Sequence, residues 1–286
     1  MKKFALLVLV ILTLAVFAAC TQEESNTPAA GTSGASDTAS DPEPPRRTLV
    51  MGTSAGFFPF EFIADYGRGV IGQYAGIDVS LVARIAEELD VDIVIQDQEF
   101  AGLILALQNR EVDFVAAALT IRPDRQEVVN FTVPYFNAGQ YIIVLQADDT
   151  IHSMADLEGK VVGVQLGTTG DIAVTDGHND GVVTFSNIAT YNQPVPGVMD
   201  LKRGSIDAFV IDAPVARAFL ATYPDDLRIF SDPGGFFGPE VYGMAFHKDD
   251  VELLAEFNAV LERLIAEGFV YELYEYYNRE FTPPAE

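Results

Sequence analysis

The stretch Val112–Arg125, VDFVAAALTIRPDR, decides the architecture. Its apolar run, Phe114 to Leu119, reads as a buried strand; Thr120 follows, Pro123 stands where a helix can begin, and Arg125 falls in that helix's first turn. Proline suits the first helical position because its missing N–H would have no partner there in any case. A strand running into a helix places a hydroxyl, free helix amides and a guanidinium beyond the strand's carboxyl end. Open α/β sheets bind their ligands at that place. A guanidinium also matches a carboxylate with two parallel hydrogen bonds. The alternative for Arg125 is a surface ion pair, which contributes little.

Outward from this stretch, strand-like runs alternate with helical ones. Strands are expected at Thr48–Thr53, Asp92–Ile95, Gln140–Gln146, Lys160–Gln165, Val182–Phe185, Asp207–Ile211 and Val241–His247. Helices are expected at Val79–Leu89, with Asp78 as N-cap and Val82, Ile85, Ala86 and Leu89 on one face, and at Gly102–Gln108, Ser153–Gly159, Asp249–Gly268 and Phe269–Arg279. The alternation predicts the α/β class, with parallel sheets packed between helices. One internal echo stands out: Leu107 to Asp113 followed by Phe-Val, and Leu201 to Asp207 followed by Ala-Phe-Val. Both read as helix end, tight turn, Asp and apolar strand. The first strand leads to Thr120 and Arg125, the second to Asp212-Ala-Pro214. Two such units facing each other would present a cation from one and an anion from the other; coincidence of a common turn is the alternative.

The N-terminus reads as an address. Lys2 and Lys3 precede an apolar run from Phe4 to Ala19, too short for a comfortable membrane span, and residues 1–19 form a signal peptide ending before Cys20. Cys20, the only cysteine, resembles the lipidated residue of a bacterial lipobox, although Phe17 stands where Leu or Val is usual; plain signal cleavage is the alternative. A single cysteine excludes an intrachain disulfide. Residues 20–47 are rich in Ser, Thr, Ala, Gly and Pro and read as a disordered tether with a reach of roughly 30 Å. The 17 basic and 42 acidic residues give a net charge of −25, and removing Lys2 and Lys3 takes it to −27. Such a chain does not bind nucleic acid, which requires neutralising phosphates.

Some motifs match only by letters. Gly67-Arg-Gly69-Val-Ile-Gly72 fits a dinucleotide fingerprint but does not open a helix, so no nucleotide cofactor is expected. Gly52-Thr-Ser54-Ala-Gly56 fits a nucleophile elbow but runs into Phe57-Phe58-Pro59-Phe60 instead of a helix. His152, His178 and His247 lack metal-ligand spacing. No cofactor and no metal are expected.

A series of landmarks then accumulates: Gly52-Thr53 with Phe58 to Phe62; Gly76-Ile-Asp-Val79; Phe100-Ala-Gly102 with Ala106-Leu-Gln108; Leu119 to Arg125; Phe131 to Phe136; Gly163 to Gly170; Asp207 to Pro214; and Tyr242-Gly243-Met-Ala. In this order, across about Thr48 to Phe281, they resemble the amino-acid-binding proteins of ABC importers, the polar amino-acid branch of the bacterial extracellular solute-binding proteins. The resemblance implies a two-lobed periplasmic-binding-protein-like fold of type II, two α/β domains joined by hinge strands near Pro134–Gly139 and Gly238–Tyr242. Lobe 1 would comprise residues 48–137 and 243–286, lobe 2 residues 138–242. It further implies that Arg125 holds a ligand α-carboxylate, shared by Thr120, the amides near Ala118 and the helix start at Thr168 and Thr169. Asp212 would take the ammonium, Phe57 and Phe100 would sandwich the side chain, and Ser54 and Gln165 would line its far end. Helix capping for Asp212, and core packing for Phe57 and Phe100, are the plain alternatives.

A zwitterion leaving water needs a partner for each charge, and partners split between lobes stabilise only the closed state. Relatives that bind cationic or amide side chains often carry an acid where Ser54 stands and Gly or Ser where Ala118 stands, so a neutral amino acid is expected, with glutamine-like polar ligands slightly ahead of apolar ones. The implied protein is a monomeric, lipid-anchored extracytoplasmic receptor that delivers its ligand to the transmembrane subunits of an ABC permease. The competing readings are a dehydratase-like enzyme on the same fold and a ligand sensor. The enzyme needs a general acid or base, for which Ser54 and Gln165 are poor and Glu61 and Glu240 are the candidates. Gln193-Pro-Val-Pro196-Gly197 interrupts the helix that the resemblance leads one to expect.

Overall fold

In the computed structural model, residues 46–232 and 234–281 are described. The signal peptide, Cys20 and nearly all of the expected tether lie outside the described residues. β1 (Arg47–Thr53) starts one residue before the expected Thr48. It is followed by a hairpin of β2 (Phe62–Ile63) and β3 (Tyr74–Ala75), then α1 (Ile77–Leu89), β4 (Val91–Asp97), α2 (Leu103–Gln108), β5 (Phe114–Val115), α3 (Pro123–Val128) and β6 (Val129–Phe131). β7 (Phe136–Ala138) leads to β8 (Gln140–Leu145), β9 (Val161–Gln165), α4 (Thr169–Asn179), β10 (Asn187–Tyr191), α5 (Pro194–Lys202), β11 (Ala208–Asp212), α6 (Ala213–Thr222) and β12 (Leu227–Phe230). β13 (Glu240–Tyr242) returns to β14 (Ala245–His247), and α7 (Val251–Ala266) and α8 (Phe269–Glu280) follow.

The strands form two five-stranded mixed sheets of one plan, ordered β4-β1-β5-β14-β6 and β10-β9-β11-β8-β12. In each, three parallel strands have the first in the middle, and an antiparallel strand follows beside the third. That antiparallel strand, β14 or β8, comes directly after one strand of the antiparallel ribbon β7–β13. Two lobes joined by a two-stranded hinge result, the type II α/β fold.

The internal echo marks the turn into the third strand of each sheet. Asp113 Oδ2 accepts from the Val50 N–H (2.6 Å) while its own N–H donates to Val50 O (2.8 Å). Asp207 does the same with Val161, at 2.8 Å in both directions. The two Asp residues therefore clamp the third strand to the first in both lobes, which is a physical reason for the repeated pattern.

Cores form where apolar helix faces meet the sheets. Leu81, Val82 and Ile85 of α1 are buried in one cluster with Phe114, Phe246, Phe257, Leu261 and Tyr277. Ile142, Val144, Val162, Val164, Val174 and Val210 form a second cluster around the other sheet. Each such side chain contributes roughly 1.5–3 kcal/mol through its burial.

Several local expectations are corrected. Regular strand in the deciding stretch covers only Phe114–Val115, and Ala118 turns into the left-handed region at φ 46°. Val182–Phe185 is irregular, although Val183 and Phe185 are buried, and the strand begins at Asn187 instead. Apolar character signalled burial there, not extension. Val241–His247 is two strands in different sheets, divided at Gly243-Met244. Asp78 does not cap α1: Gly76 holds that position at φ 127°, where a Cβ would lie 2.1 Å from Phe60 O. The Asp78 side chain turns inward and accepts from the Ala118 N–H (2.7 Å) and the Tyr135 hydroxyl (2.8 Å). The proline-rich segment is the first turn of α5, where missing amides leave no helical bond unmade. None of the described helices is long and apolar enough to cross a membrane.

Candidate functional site

Pro123 opens α3 after an extended Arg122, and this places Arg125 in the first turn, where it is buried with only 6% of its surface exposed. Its Nη1 donates to Thr120 O (2.9 Å) and its Nη2 donates across the cleft to Gly167 O (3.0 Å). The guanidinium carbon stands 5.6 Å from the Phe100 ring centroid, within cation–π range. Burial, and next the nearby charge of Arg122, lower its pKa to about 10, so it stays cationic at neutral pH. Among the described residues it makes no ion pair. A buried cation bonded only to carbonyls has capacity for an anion.

The facing wall is the start of α4. Thr168 caps it by accepting from the Asp171 N–H (3.2 Å), and its hydroxyl donates to Gln165 O (2.7 Å). Helix amides at Thr169 and beyond favour an anion. Gly167 takes φ +78°, and a Cβ there would sit 3.0 Å from Ala101 Cβ, so the walls meet where there is no room for a side chain.

Asp212 ends β11 and is buried. It accepts from Gln140 Nε2 (2.8 Å) and from the Tyr242 hydroxyl. Burial raises its pKa, against the lowering effect of the Tyr242 and Gln140 bonds and the Arg125 charge.

One small cavity between the sheets, of about 10 Å³, is lined by Phe57, Phe100, Ala118, Thr120, Arg125, Thr168, Thr169 and Asp212. These are eight of the ten ligand-binding residues expected from sequence. Ser54 and Gln165 are not in its lining. Both are buried against one segment: Gln193 Nε2 donates to Ser54 Oγ (3.4 Å), and Gln165 Nε2 donates to Asn192 O (3.1 Å).

Sequence reasoning did not assign a ligand role to Gln140, Gln193, Glu240 or Tyr242. Glu240 Oε2 accepts from Gln140 Nε2 (3.1 Å) and Thr169 Oγ1 (3.1 Å), with Thr120 Oγ1 at 3.5 Å. Burial, followed by the Asp212 charge, pushes its pKa up to about 7. Glu61, which stands in the Phe58–Phe62 landmark, is buried, and both of its carboxylate oxygens lack a partner. Burial, then the charges of Asp78, Asp212 and Asp97, hold it well above the usual carboxylate range. Gln140, Gln165 and Gln193 each have an unpartnered buried Oε1 as well. Among the described residues, every buried side-chain polar atom left without a partner is an acceptor.

A family described as bacterial extracellular solute-binding proteins, family 3, matches residues 49–280. The probable histidine-binding protein of Campylobacter jejuni is 30% identical over 283 residues, spanning 98% of this chain and all of that protein. Among solved structures, a mutant of ArgBP from T. maritima superposes with a TM-score of 0.72 at 39% identity, covering 82% of this chain and 96% of that one. An ancestral arginine-binding protein, solved bound to arginine and bound to glutamine, superposes with TM-scores of 0.73 and 0.72 at 36% identity, covering 81% of this chain and 98% of that one.

Proposed function

The chain belongs to the bacterial extracellular solute-binding proteins, family 3, and from that premise we propose how it recognises its ligand. It is an extracytoplasmic amino-acid receptor of ABC transport and not an enzyme. One L-amino acid is held between the lobes, its α-carboxylate on Arg125 with Thr120 and the Thr168–Thr169 helix start, its ammonium on Asp212; Ala118, whose own N–H is spent on Asp78, lines the cavity without donating to the ligand. Phe57 and Phe100 flank the side chain, and Ser54 and Gln165 stand toward its far end. The observation that carries this reading is a single cavity with Arg125 on one wall and Asp212 on the other. Opposite charges on opposite walls make the ligand a bridge that stabilises only the closed state.

The expectation of a neutral ligand rested on Ser54, which leaves that position without an acid. Glu61 offers a buried carboxyl whose oxygens have no partner, and the unpartnered oxygens of Gln165 and Gln193 add further acceptors; all three stand outside the cavity's lining, where a long ligand side chain is proposed to reach them. A side chain that brings donors and positive charge suits such surroundings, and a guanidinium brings five donors and no acceptor. We therefore place arginine first and glutamine, the best of the neutral candidates, second. Relatives named for arginine, and the ancestral protein solved with arginine and with glutamine, support these two candidates.

A thermal-shift screen of the twenty amino acids tests this directly. A ligand at a hundred times its Kd adds about 2.7 kcal/mol to the folded state, or roughly 5–10 °C for a chain of this size. Arginine is expected to give the largest shift; no shift with any amino acid rejects the receptor reading.

The receptor is further proposed to be a monomer, anchored by lipid on Cys20 and held off the membrane by the tether, so that the site reaches the permease. The sequence before Cys20 supports this, and Cys20→Ala is expected to move the protein from the membrane fraction to the soluble one. Retention of the variant in membranes argues against the lipid.

A further inference from the structure

The hinge carries an acid to which the ligand roles above give no task. Glu240 is the first residue of β13, opposite Ala138 of β7. One of its oxygens meets donors from both lobes: Thr120 from the first, Gln140 and Thr169 from the second. The Gln140 amide nitrogen also donates to Asp212, so two carboxylates depend on one amide. That nitrogen has two hydrogens and three acceptors within reach, Thr169 Oγ1 being the third at 3.0 Å. The groups that face this pair are Arg125, whose donors go to the carbonyls of Thr120 and Gly167, and Tyr242, which already donates to Asp212. The Asp212 charge also reaches Glu61, whose carboxyl it helps to push up. Two buried carboxylates this close cannot both ionise without a further positive charge.

We infer that Glu240 and Asp212 hold one proton between them before a ligand enters, and that the ligand's ammonium group takes the place of that proton. The inference rests on the amino-acid reading of the cavity. The ammonium keeps its own three hydrogens; the O–H bond of the carboxyl pair breaks, and its proton leaves to solvent. One amino acid bound is thus accompanied by up to one proton released. Burial pushes Glu240 up to about 7, which puts the exchange in a measurable range. The two acids titrate as a pair, so the proton belongs to both. The sign follows from linkage: a complex that has lost a proton is favoured by rising pH. Affinity should climb by up to tenfold per pH unit below about pH 7 and flatten above it.

Titration calorimetry of the whole protein with L-arginine at pH 7, in phosphate and in Tris, reads proton release as a difference in apparent enthalpy between buffers. Wild type is expected to release a substantial fraction of one proton or more; E61Q, which has no proton at position 61 to lose to the guanidinium, still a substantial fraction of one; and E240Q less than wild type by that fraction. If E240Q does not bind, E240D, which keeps a carboxyl, must restore the release. Binding by wild type with no buffer dependence overturns the inference and leaves the receptor reading intact. Release that survives in E240Q and vanishes in E61Q also overturns it, because the proton then belongs to Glu61. Absence of binding by any amino acid removes the receptor reading, and this inference with it.

Discussion

Replacement of Arg125 by alanine is expected to weaken amino-acid binding at least a hundredfold. The guanidinium is already desolvated, sits over Phe100, and spends two of its donors on the Thr120 and Gly167 carbonyls. Removing it leaves the ligand carboxylate in a closed cavity without its cation. Loss of one partner of a buried charge pair costs about 3–5 kcal/mol, and each 1.4 kcal/mol is about tenfold in affinity. Lysine at this position should recover only part of the loss, since an ammonium is a point charge that cannot present two parallel donors. Calorimetry decides: an affinity for arginine within a fewfold of wild type means that the carboxylate is held elsewhere. Because Arg125 also joins the two walls through Gly167, circular dichroism of the variant must first show an intact fold.

The second large effect is expected at Glu61. Glu61→Gln replaces an unpartnered buried acid by a neutral group of the same shape. The proposed contact with a cationic side chain should then weaken, lowering arginine affinity at least tenfold, while glutamine changes little. The same substitution should raise the stability of the protein without ligand. Glu61 is held above its ordinary value of 4.5 by burial first and by Asp78, Asp212 and Asp97 next. A carboxyl raised in the folded state favours folding while protonated, and that contribution disappears as pH rises through its folded value. Wild type should therefore melt progressively below Glu61→Gln as pH rises above about 5. Asp78 and Glu240, both raised to about 7 by burial first, are common to the two proteins and leave the difference to Glu61. Parallel melting curves at every pH, or an unchanged preference for arginine over glutamine, remove Glu61 from the ligand's surroundings.

Much of the architecture was legible because its signals are local. The periodicity of α1 and the proline that starts α3 each act within a few residues of where they stand; the Asp before β5 and again before β11 was legible only as a repeated pattern, because the amides it binds lie 63 and 46 positions away. Arg125 was legible locally: the strand, turn and helix that aim it are contiguous. Where local signals misled, burial had been taken for extension, as at Val182–Phe185, or the choice of partner strand could not be seen, as at Val241–His247. Asp78 has the composition of a cap, yet Gly76 occupies that position because only a residue without Cβ passes Phe60.

The charge environment of the cavity behaves differently. Gln140, Asp212 and Glu240 are separated by 28 to 100 positions in the chain, and nothing in the surroundings of any one of them points to the other two. The same holds for Glu61, which has the look of an ordinary acid after an aromatic turn. The chain's local chemistry determined the α/β class, a guanidinium at a helix start and an acid at a strand end, while the two lobes were read from the order of the family's landmarks. Folding decided which carboxylates lose their water together, and hence which must share a proton or meet a cation. Desolvation and like-charge repulsion depend on distance through space, and distance along the chain carries no record of it.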